Sequence, residues 1–307
     1  MKISTSLYFD RSTQMLSNVQ SNLTKTQEQL STGKQIVSPS DAPDKAALVT
    51  RLDSTLARQQ SYLDNLKSVN IRLTAEETAL QNTSDVMYRI KELATQAAND
   101  TLSVQDRKGI AMEIGTLKDQ ILSLANSQDS NGNYLFSGSR VGEPAFSKDS
   151  NDRVLYQGDQ ARMKVDVGDS RRMNLNMPGS DVFTRVVRDD GKGGRVGVDF
   201  FQALDDLATA VQSSDHTGIQ RGISEVDILQ NGISEGLGQV GADLTVVDMQ
   251  TSVLDQVMLQ LKTTRSDVQD LDYTEAITRM NKDQLALEAA QNSFAKISQL
   301  SLFKYLN

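Results

Sequence analysis

The stretch VDILQNGISEGLGQVGADLTVVDMQTSVLDQVMLQL, residues 226–261, carries the longest run of helical periodicity in this chain of 307 residues. Apolar side chains recur in steps of three and four, which places them on one side of a helix and predicts a coiled-coil-like seam. The seam has eleven positions, nine of them apolar: Val226, Gln230, Ile233, Leu237, Val240, Leu244, Val247, Thr251, Leu254, Met258 and Leu261. Four glycines each cost about 1 kcal/mol relative to Ala in a helix interior. These glycines lie in the N-terminal half of the seam, so either packing stabilises that half or the helix bends there. They are Gly232, Gly236, Gly238 and Gly241.

A second long helix is predicted over residues 44–99, which contain neither Gly nor Pro. Its apolar positions follow a seven-residue spacing, and at 1.5 Å per residue the helix would be roughly 80 Å long. Ser103 and Asp106 resemble a capping box at the start of a third helix, which ends near Asn126. The seams of these helices can pack on one another, so we expect a helical rod. Its predicted core residues are Leu66, Leu73, Leu80, Met87, Ile114, Leu117, Ile121, Leu237, Val240, Leu244, Val247 and Leu254.

Both ends of the chain carry a shorter seam of the same kind. Helices of two or three heptads are marginal alone in water, because nucleation is costly and one seam buries little apolar surface. We therefore expect the terminal helices to pack on each other or on copies in other molecules, which makes them candidate assembly surfaces. The N-terminal assembly residues are Leu16, Val19, Leu23 and Leu30. The C-terminal assembly residues are Ile277, Met280, Leu287, Ala290, Phe294, Ile297, Leu302 and Phe303.

Between these helices lie a linker and an irregular region. Pro39 and Pro43 predict an extended link between the first and second helices. Residues 129–200 lose helical periodicity and contain many turn signals, which indicates a small β-rich insert. A short helix follows over residues 199–212, and Asp272 is expected to cap the final helix. The predicted strands of the insert are Tyr134–Phe136, Val154–Tyr156, Met163–Val167 and Met173–Met177.

The predicted fold class is mainly α with a β-rich insert. We expect an elongated helical rod of long antiparallel coiled-coil-like helices, with discontinuous N- and C-terminal domains. Because the chain would run out and return, each helical domain combines an early and a late segment. The predicted domains are a terminal assembly domain over 1–40 and 265–307, a rod over 41–137 and 199–264, and an outer insert over 138–198.

Composition and charge argue against several classes of function. The chain has 40 Asp and Glu against 32 Lys and Arg, so its formal net charge of −8 disfavours nucleic-acid binding. No apolar run approaches the ~20 residues of a membrane span. Residues 1–30 contain no apolar run of signal-peptide length. The chain has no Cys and hence no disulfide, so we expect its stability to come from packing or polymerisation.

Candidate chemical motifs have simple structural interpretations. His216 is the single histidine and lies in a polar run, which leaves no usual zinc set. Residues 129–133 imitate the start of a calcium loop without its Gly and Glu, which favours a turn. Residues 191–194 lack the spacing of a P-loop. We predict no catalytic, cofactor-binding or metal-binding residues and a protein that is not an enzyme. The alternative, a cytosolic hydrolase on a helical scaffold, would need a cleft with perturbed acids.

Several short stretches resemble the flagellin superfamily. They cover both ends and the rod, whereas the insert resembles no known family. The stretches are MKISTS at 1–6, LSTGKQI at 30–36, SPSDAP at 38–43, NGNYLFSG at 131–138, DLDYTEA at 270–276 and LSLF at 300–303. Within the superfamily, the paired prolines and the YLFSG string favour a subunit of the hook–filament junction. A filament flagellin is the alternative.

The resemblance implies a structural subunit of the bacterial flagellum, extracellular and required for motility. A junction subunit would form a ring of copies that couples hook-associated protein 1 to the flagellin filament through its terminal helices. The resemblance also implies type III export of the unfolded chain without a cleaved signal peptide. An export chaperone would bind residues 265–307. Neither a cofactor, nor a nucleic acid, nor membrane insertion is expected.

Overall fold

The computed structural model describes the backbone of residues 2–189 and 194–303, and the side chains of residues 7, 9–189 and 194–296. Within these ranges the chain forms seven helices and six short strands. The predicted fold class, mainly α with a β-rich insert, is confirmed. The helices are α1 Lys2–Thr32, α2 Pro43–Ala97, α3 Val104–Ala125, α4 Gly179–Val182, α5 Phe200–Ser213, α6 His216–Gln269 and α7 Tyr273–Phe303.

Helix α2 lies close to the predicted range 44–99. It begins at Pro43, which suits a first helical position because the N–H that Pro lacks would have no partner there. At its other end, a side chain of α3 pairs the last carbonyl of α2 and one carbonyl just beyond it. Arg107, which is buried, donates from Nη1 to Ala97 O at 2.7 Å and from Nη2 to Asn99 O at 2.9 Å. Arg107 thus supplies donors to carbonyl groups that have no partner within the helix.

The long seam lies in α6, which is continuous through its glycines. Two of these glycines face close neighbours. A Cβ on Gly232 would lie 2.8 Å from Thr184 Oγ1, and a Cβ on Gly236 would lie 3.1 Å from the Val182 side chain. The glycines therefore allow α4 and the residues after it to pack directly against α6. Gly232 and Gly236 thus lie at packing contacts, whereas nothing lies within 4 Å of a Cβ position on Gly238 or Gly241.

The chain divides into two compact units. Residues 1–59 and 256–307 form the first, hereafter the terminal unit, and residues 60–255 form the second, hereafter the central unit. The insert belongs to the central unit. The predicted three-part division, with a separate domain over 138–198, stays a prediction.

The core of the central unit is built from α2, α3, α5, α6 and the insert. All twelve predicted rod-core residues lie in it or against it, and Leu117, Leu237 and Leu244 are partly buried. The other nine are buried: Leu66, Leu73, Leu80, Met87, Ile114, Ile121, Val240, Val247 and Leu254. Val154 and Val186 of the insert belong to the same core. The insert thus packs as part of the helical unit.

The insert and α5 also share an aromatic cluster that contains five of the eight phenylalanines. The ring centroid of Phe146 lies 5.1 Å from that of Tyr156 and 5.2 Å from that of Phe183. Aromatic pairs of this kind contribute about 0.5–1.5 kcal/mol each beyond the area that they bury. The members are Phe136, Phe146, Tyr156, Phe183, Phe200 and Phe201.

The described part of the insert contains three antiparallel hairpins. They pair β1 Phe146–Lys148 with β2 Val154–Tyr156, β3 Lys164–Gly168 with β4 Arg171–Asn174, and β5 Val186–Asp189 with β6 Arg195–Val198. The predicted strand Val154–Tyr156 is confirmed, and two further predicted strands correspond to β3 and β4 with shifted ends. Sequence reasoning missed β1, β5 and β6, because strands of three or four residues show too little alternation.

The predicted strand over residues 134–136 is wrong. This segment forms one isolated bridge, between Gln128 and Tyr134. Its carbonyl groups are paired by side chains: Arg72 Nη2 donates to those of residues 134 and 135 at 2.9 and 3.0 Å. The Tyr156 hydroxyl donates to that of residue 136 at 3.0 Å. These side chains satisfy a buried backbone that has no neighbouring strand.

The hairpin β5–β6 is joined to α5 and α6 by one guanidinium. Arg188 donates from Nε and Nη2 to the two carboxylate oxygens of Glu225 at 2.6 and 2.7 Å, and from Nη1 to Asp206. The hydrogen bonds to Glu225, opposed by burial and assisted by Asp206, raise the pKa of Arg188. This bidentate geometry gives the hairpin a defined position on the helices.

We predict that Gly138→Ala lowers the free energy of unfolding by about 2 kcal/mol or more. Gly138 has a φ of +72°, and a Cβ there would collide with the carbonyl and carboxylate of Asp159. Gly142→Ala is the matched control, because nothing lies within 4 Å of its Cβ position. Urea denaturation followed by circular dichroism measures both. Equal losses in the two variants would contradict this account.

We further predict that Arg188→Met costs about 2 kcal/mol or more of unfolding free energy, because it leaves the buried carboxylate of Glu225 with only the longer contact to Arg221, at 3.7 Å. The side chains of Arg188 and Glu225 are only 18% and 8% exposed. Arg185→Met is the control: its ion pair with Asp199 is also short, at 2.6 Å, but the Arg185 side chain is 73% exposed. That change should cost at most about 1 kcal/mol. The prediction fails if thermal or urea melts do not separate the two variants.

Candidate assembly surface

The terminal helices α1 and α7 pack along each other in the terminal unit. Their pairing is antiparallel. Near the start of α1, the ring centroids of Phe9 and Phe294 lie 4.9 Å apart. Just past the end of α1, Gly33 O accepts the N–H of Leu271 at 3.0 Å. The two ends of the chain thus form one helical pair, as the shared seam predicts.

A short backbone joint aligns these helices. Lys34 and Asp270 form an antiparallel bridge, and the N–H of Gln35 donates to Gln269 O at 2.8 Å. Gly33 ends α1 with a φ of +67°, a conformation that favours glycine. A Cβ on Gly33 would lie 2.8 Å from the Tyr273 hydroxyl. Glycine is therefore favoured here by its backbone conformation, and the Tyr273 hydroxyl occupies part of the space that a side chain would need.

Both predicted helix caps are present. At α3, Ser103 Oγ accepts the N–H of Asp106 at 3.1 Å, which completes the predicted capping box. At α7, Asp272 Oδ1 accepts the N–H groups of Thr274 and Glu275 at 2.8 and 3.1 Å. The second cap starts α7 immediately after the backbone joint, so the joint and the cap together determine where the helix begins.

Polar contacts hold the linker between α1 and α2 against α1. Lys25 Nζ lies 2.7 Å from Asp41 Oδ1, and Asp41 Oδ2 accepts the N–H of Ser38 at 3.0 Å. The interaction with Lys25, followed by that with the Ser38 N–H, lowers the pKa of Asp41. Gln29 is buried, and its Nε2 donates to Gln35 O at 2.6 Å. Polar side chains thus occupy part of the side of α1 that faces its neighbours.

The predicted assembly residues are covered only in part by this pairing. The N-terminal ones are all partly buried: Leu16, Val19, Leu23 and Leu30. Four of the C-terminal ones are also partly buried: Met280, Leu287, Ala290 and Phe294. Ile277 is 46% exposed and lies off the pairing. The side chains of Ile297, Leu302 and Phe303 lie outside the described residues.

Further large apolar side chains of the terminal unit face solvent. Met15 is 65% exposed and Leu285 is 69% exposed. Tyr273 and Leu259 are exposed as well. Sequence reasoning missed these four because it scored only positions spaced by three and four along a seam. The available signal was a large apolar residue among polar neighbours outside the seam.

The structure describes two of the three candidate chemical motifs. Over the described residues there is no group of three or more His, Cys, Asp or Glu able to hold a metal ion. His216 is exposed. Asp129 forms the expected turn, in which its Oδ1 accepts the N–H groups of Asn131 and Asn133 at 2.8 and 3.0 Å. Residues 191–193 lie outside the described residues.

Among the described helices, none is long and apolar enough to cross a membrane. The most extended helices, α2 and α6, each mix polar and charged residues along their length.

Individual relatives and solved structures resemble this chain over most of its length. Flagellar hook-associated protein 3 of Escherichia coli (strain K12) is 27% identical over 317 aligned positions, covering 99% of each chain. A flagellin of Listeria monocytogenes is 23% identical over 301 positions, covering 97% of this chain and 95% of its own. The crystal structure of flagellar hook associated protein-3 from Legionella pneumophila has a TM-score of 0.65 at 16% identity. It covers 72% of this chain and 98% of that one, and it shares the fold.

Two family models match the helical parts of the chain. The bacterial flagellin N-terminal helical region matches residues 3–140, and the bacterial flagellin C-terminal helical region matches residues 223–306. The second match contains α7 and most of α6, and the first contains α1, α2 and α3. Since the two matches together span well over half of the sequence, the chain belongs to the bacterial flagellin family.

Proposed function

We propose that this chain is a structural subunit of the bacterial flagellum at the hook–filament junction. It couples hook-associated protein 1 to the flagellin filament, and its terminal helices form the contacts with neighbouring subunits. The observation that carries the proposal is the alignment with flagellar hook-associated protein 3, which spans 99% of both chains. The match to the Listeria flagellin has a lower identity and a slightly lower coverage.

The terminal unit supports the assembly part of the proposal. Its helical pair leaves the predicted seam residues partly exposed, and it presents Met15, Ile277 and Leu285 to solvent. Fully burying one large apolar side chain contributes about 1.5–3 kcal/mol. Packing against neighbouring copies would bury these residues together, so the terminal helices become most stable in the assembled ring.

The family resemblance implies an export chaperone on residues 265–307, and the same surface supports this part of the proposal. This segment contains α7, with the exposed Ile277 and Leu285. A chaperone that covers α7 before export would occupy the contacts that assembly needs, and so would prevent premature association. The chain then leaves the cell unfolded through the type III apparatus without a cleaved signal peptide. The absence of Cys suits this route, because no disulfide must form or break.

The role is structural, and we propose no catalytic activity. The flagellin family consists of structural proteins, and force would pass through packed helices. The predicted three-part division fits this role, with the terminal segments 1–40 and 265–307 in the ring and residues 138–198 facing outward.

We predict that removal of residues 277–307 abolishes attached filaments while the central unit still folds. The deletion removes most of α7 and with it the partner of α1. Electron microscopy of cells that carry only the truncated chain measures the result. Attached filaments in those cells would overturn the proposed role of the terminal helices.

The same microscopy, with the full-length chain labelled, separates the junction from the filament. Label confined to one narrow band between hook and filament is the expected result. Label along the whole filament, or long filaments grown from the purified chain alone, would make it a filament flagellin.

We predict that Ile277→Ser combined with Leu285→Ser lowers incorporation at the hook end, with little change in the isolated chain. Both side chains are already exposed, so the free energy of unfolding should change by less than about 1 kcal/mol. Quantitative immunoblots of purified hook structures and of the culture medium measure incorporation and export. Val104→Ser is the control, because Val104 is 73% exposed in the central unit. Normal incorporation of the double variant would contradict the prediction.

A further inference from the structure

Glu76 of α2 is a buried carboxyl group in the central unit with an incomplete set of partners. Its side chain has no exposed surface. Its Oε1 accepts the N–H of Met177 at 3.4 Å and lies 3.6 Å from Arg72 Nε. Its Oε2 has no hydrogen-bond partner among the described residues. A buried carboxylate anion is costly unless it is paired and well hydrogen-bonded, so this site suits the neutral acid better than the anion.

Arg72 compensates this carboxyl group only in part, because its other nitrogens donate hydrogen bonds elsewhere. Nη1 donates to Asp129 Oδ2 at 3.2 Å, and Nη2 donates to the carbonyls of residues 134 and 135. Nε, the atom 3.6 Å from Glu76, forms no hydrogen bond within the described residues. Asp129 already supplies one negative charge to this guanidinium. The buried carboxyl group of Glu76 therefore shares one cation with the partly buried carboxylate of Asp129.

The charged groups that face Glu76 come from three elements. Arg72 lies on α2 itself, Asp129 lies in the turn after α3 and contacts Arg72, and Asp243 lies on α6. Burial is the largest effect and raises the pKa of Glu76 to about 8. Arg72 and the N–H of Met177 oppose this shift, whereas Asp243 adds to it.

We propose that the folded central unit binds a proton at Glu76 that the unfolded chain does not hold at neutral pH. Glu76 is the neutral acid inside the folded unit, and folding takes up one proton from water. The proton keeps the contact between α2, the segment 134–136 and the segment around Met177 free of an unpaired charge. This site lies outside the assembly surface, and the inference holds whether or not the chain acts at the junction.

The direction of the pH dependence follows from the two pKa values. Glu in an unfolded chain has a pKa of about 4.3. Below that value both states are protonated, and the stability is fully present. Above it the unfolded state releases the proton while the folded state keeps it, so stability falls as pH rises. The loss is complete above about pH 8, where the folded state also ionises.

The test compares the full-length chain with its Glu76→Gln variant, which keeps the shape and removes the charge. Urea unfolding is measured from about pH 5 to about pH 9. Relative to the variant, the unfolding equilibrium constant of the original chain should rise by up to about tenfold per pH unit between pH 5 and 8. Glu77→Gln, at the next position, is the control and should keep the pH dependence of the original chain.

A second measurement detects the protonation state of Glu76 directly. Infrared difference spectra of the folded chain near pH 6.5 should contain the carbonyl stretch of a buried neutral carboxylic acid, and this band should be absent from Glu76→Gln. The proposal is overturned if the band is absent from the original chain. It is also overturned if all three chains lose stability with pH in parallel.

Discussion

The terminal unit depends on a meeting of two backbone segments that lie far apart in sequence. Gly33 and Gln35 exchange main-chain hydrogen bonds with Leu271 and Gln269, and these bonds align α1 with α7. Neither terminal seam is long enough to be stable alone, so the joint converts two marginal helices into one pair. The pair still buries its apolar residues only in part. The apolar surface that stays exposed is the surface that neighbouring copies would bury on assembly.

In the central unit, polar side chains pair many of the backbone groups that the loops of the insert bury. Its hairpins are too short to pair all the backbone groups that the insert buries. Arg72 and Tyr156 pair the carbonyls of residues 134–136, and Asn126 holds the backbone of Phe146 at both its N–H and its carbonyl, at 2.9 and 2.8 Å. Each link attaches loop backbone to a rigid element. Apolar packing gives this unit its core, and the polar links determine how the chain passes over it.

The sequence predicted the elements that have a periodic apolar pattern. It did not predict the elements whose position depends on single side-chain contacts. Periodicity over tens of residues identified α2 and α6, because chance rarely sustains such spacing. The family motif around residues 134–136 was predicted to be a strand because it is apolar. The partner of this segment is instead an arginine side chain on another element, and no local pattern reveals that. Ile277 fitted the terminal seam by spacing, yet it lies on the flank. A helix of 3.6 residues per turn drifts away from a seven-residue repeat unless it supercoils.

The glycines of α6 determine what stabilises the N-terminal half of its seam. The four in the first half of its seam cost about 4 kcal/mol of helix propensity together, so this half cannot be stable as an isolated helix. In the folded unit, Val182 and Thr184 pack against α6 at Gly232, and Val182 also packs at Gly236. The second half of the seam carries no glycine penalty. The glycine-containing half therefore owes its helical form to packing against other elements rather than to helix propensity.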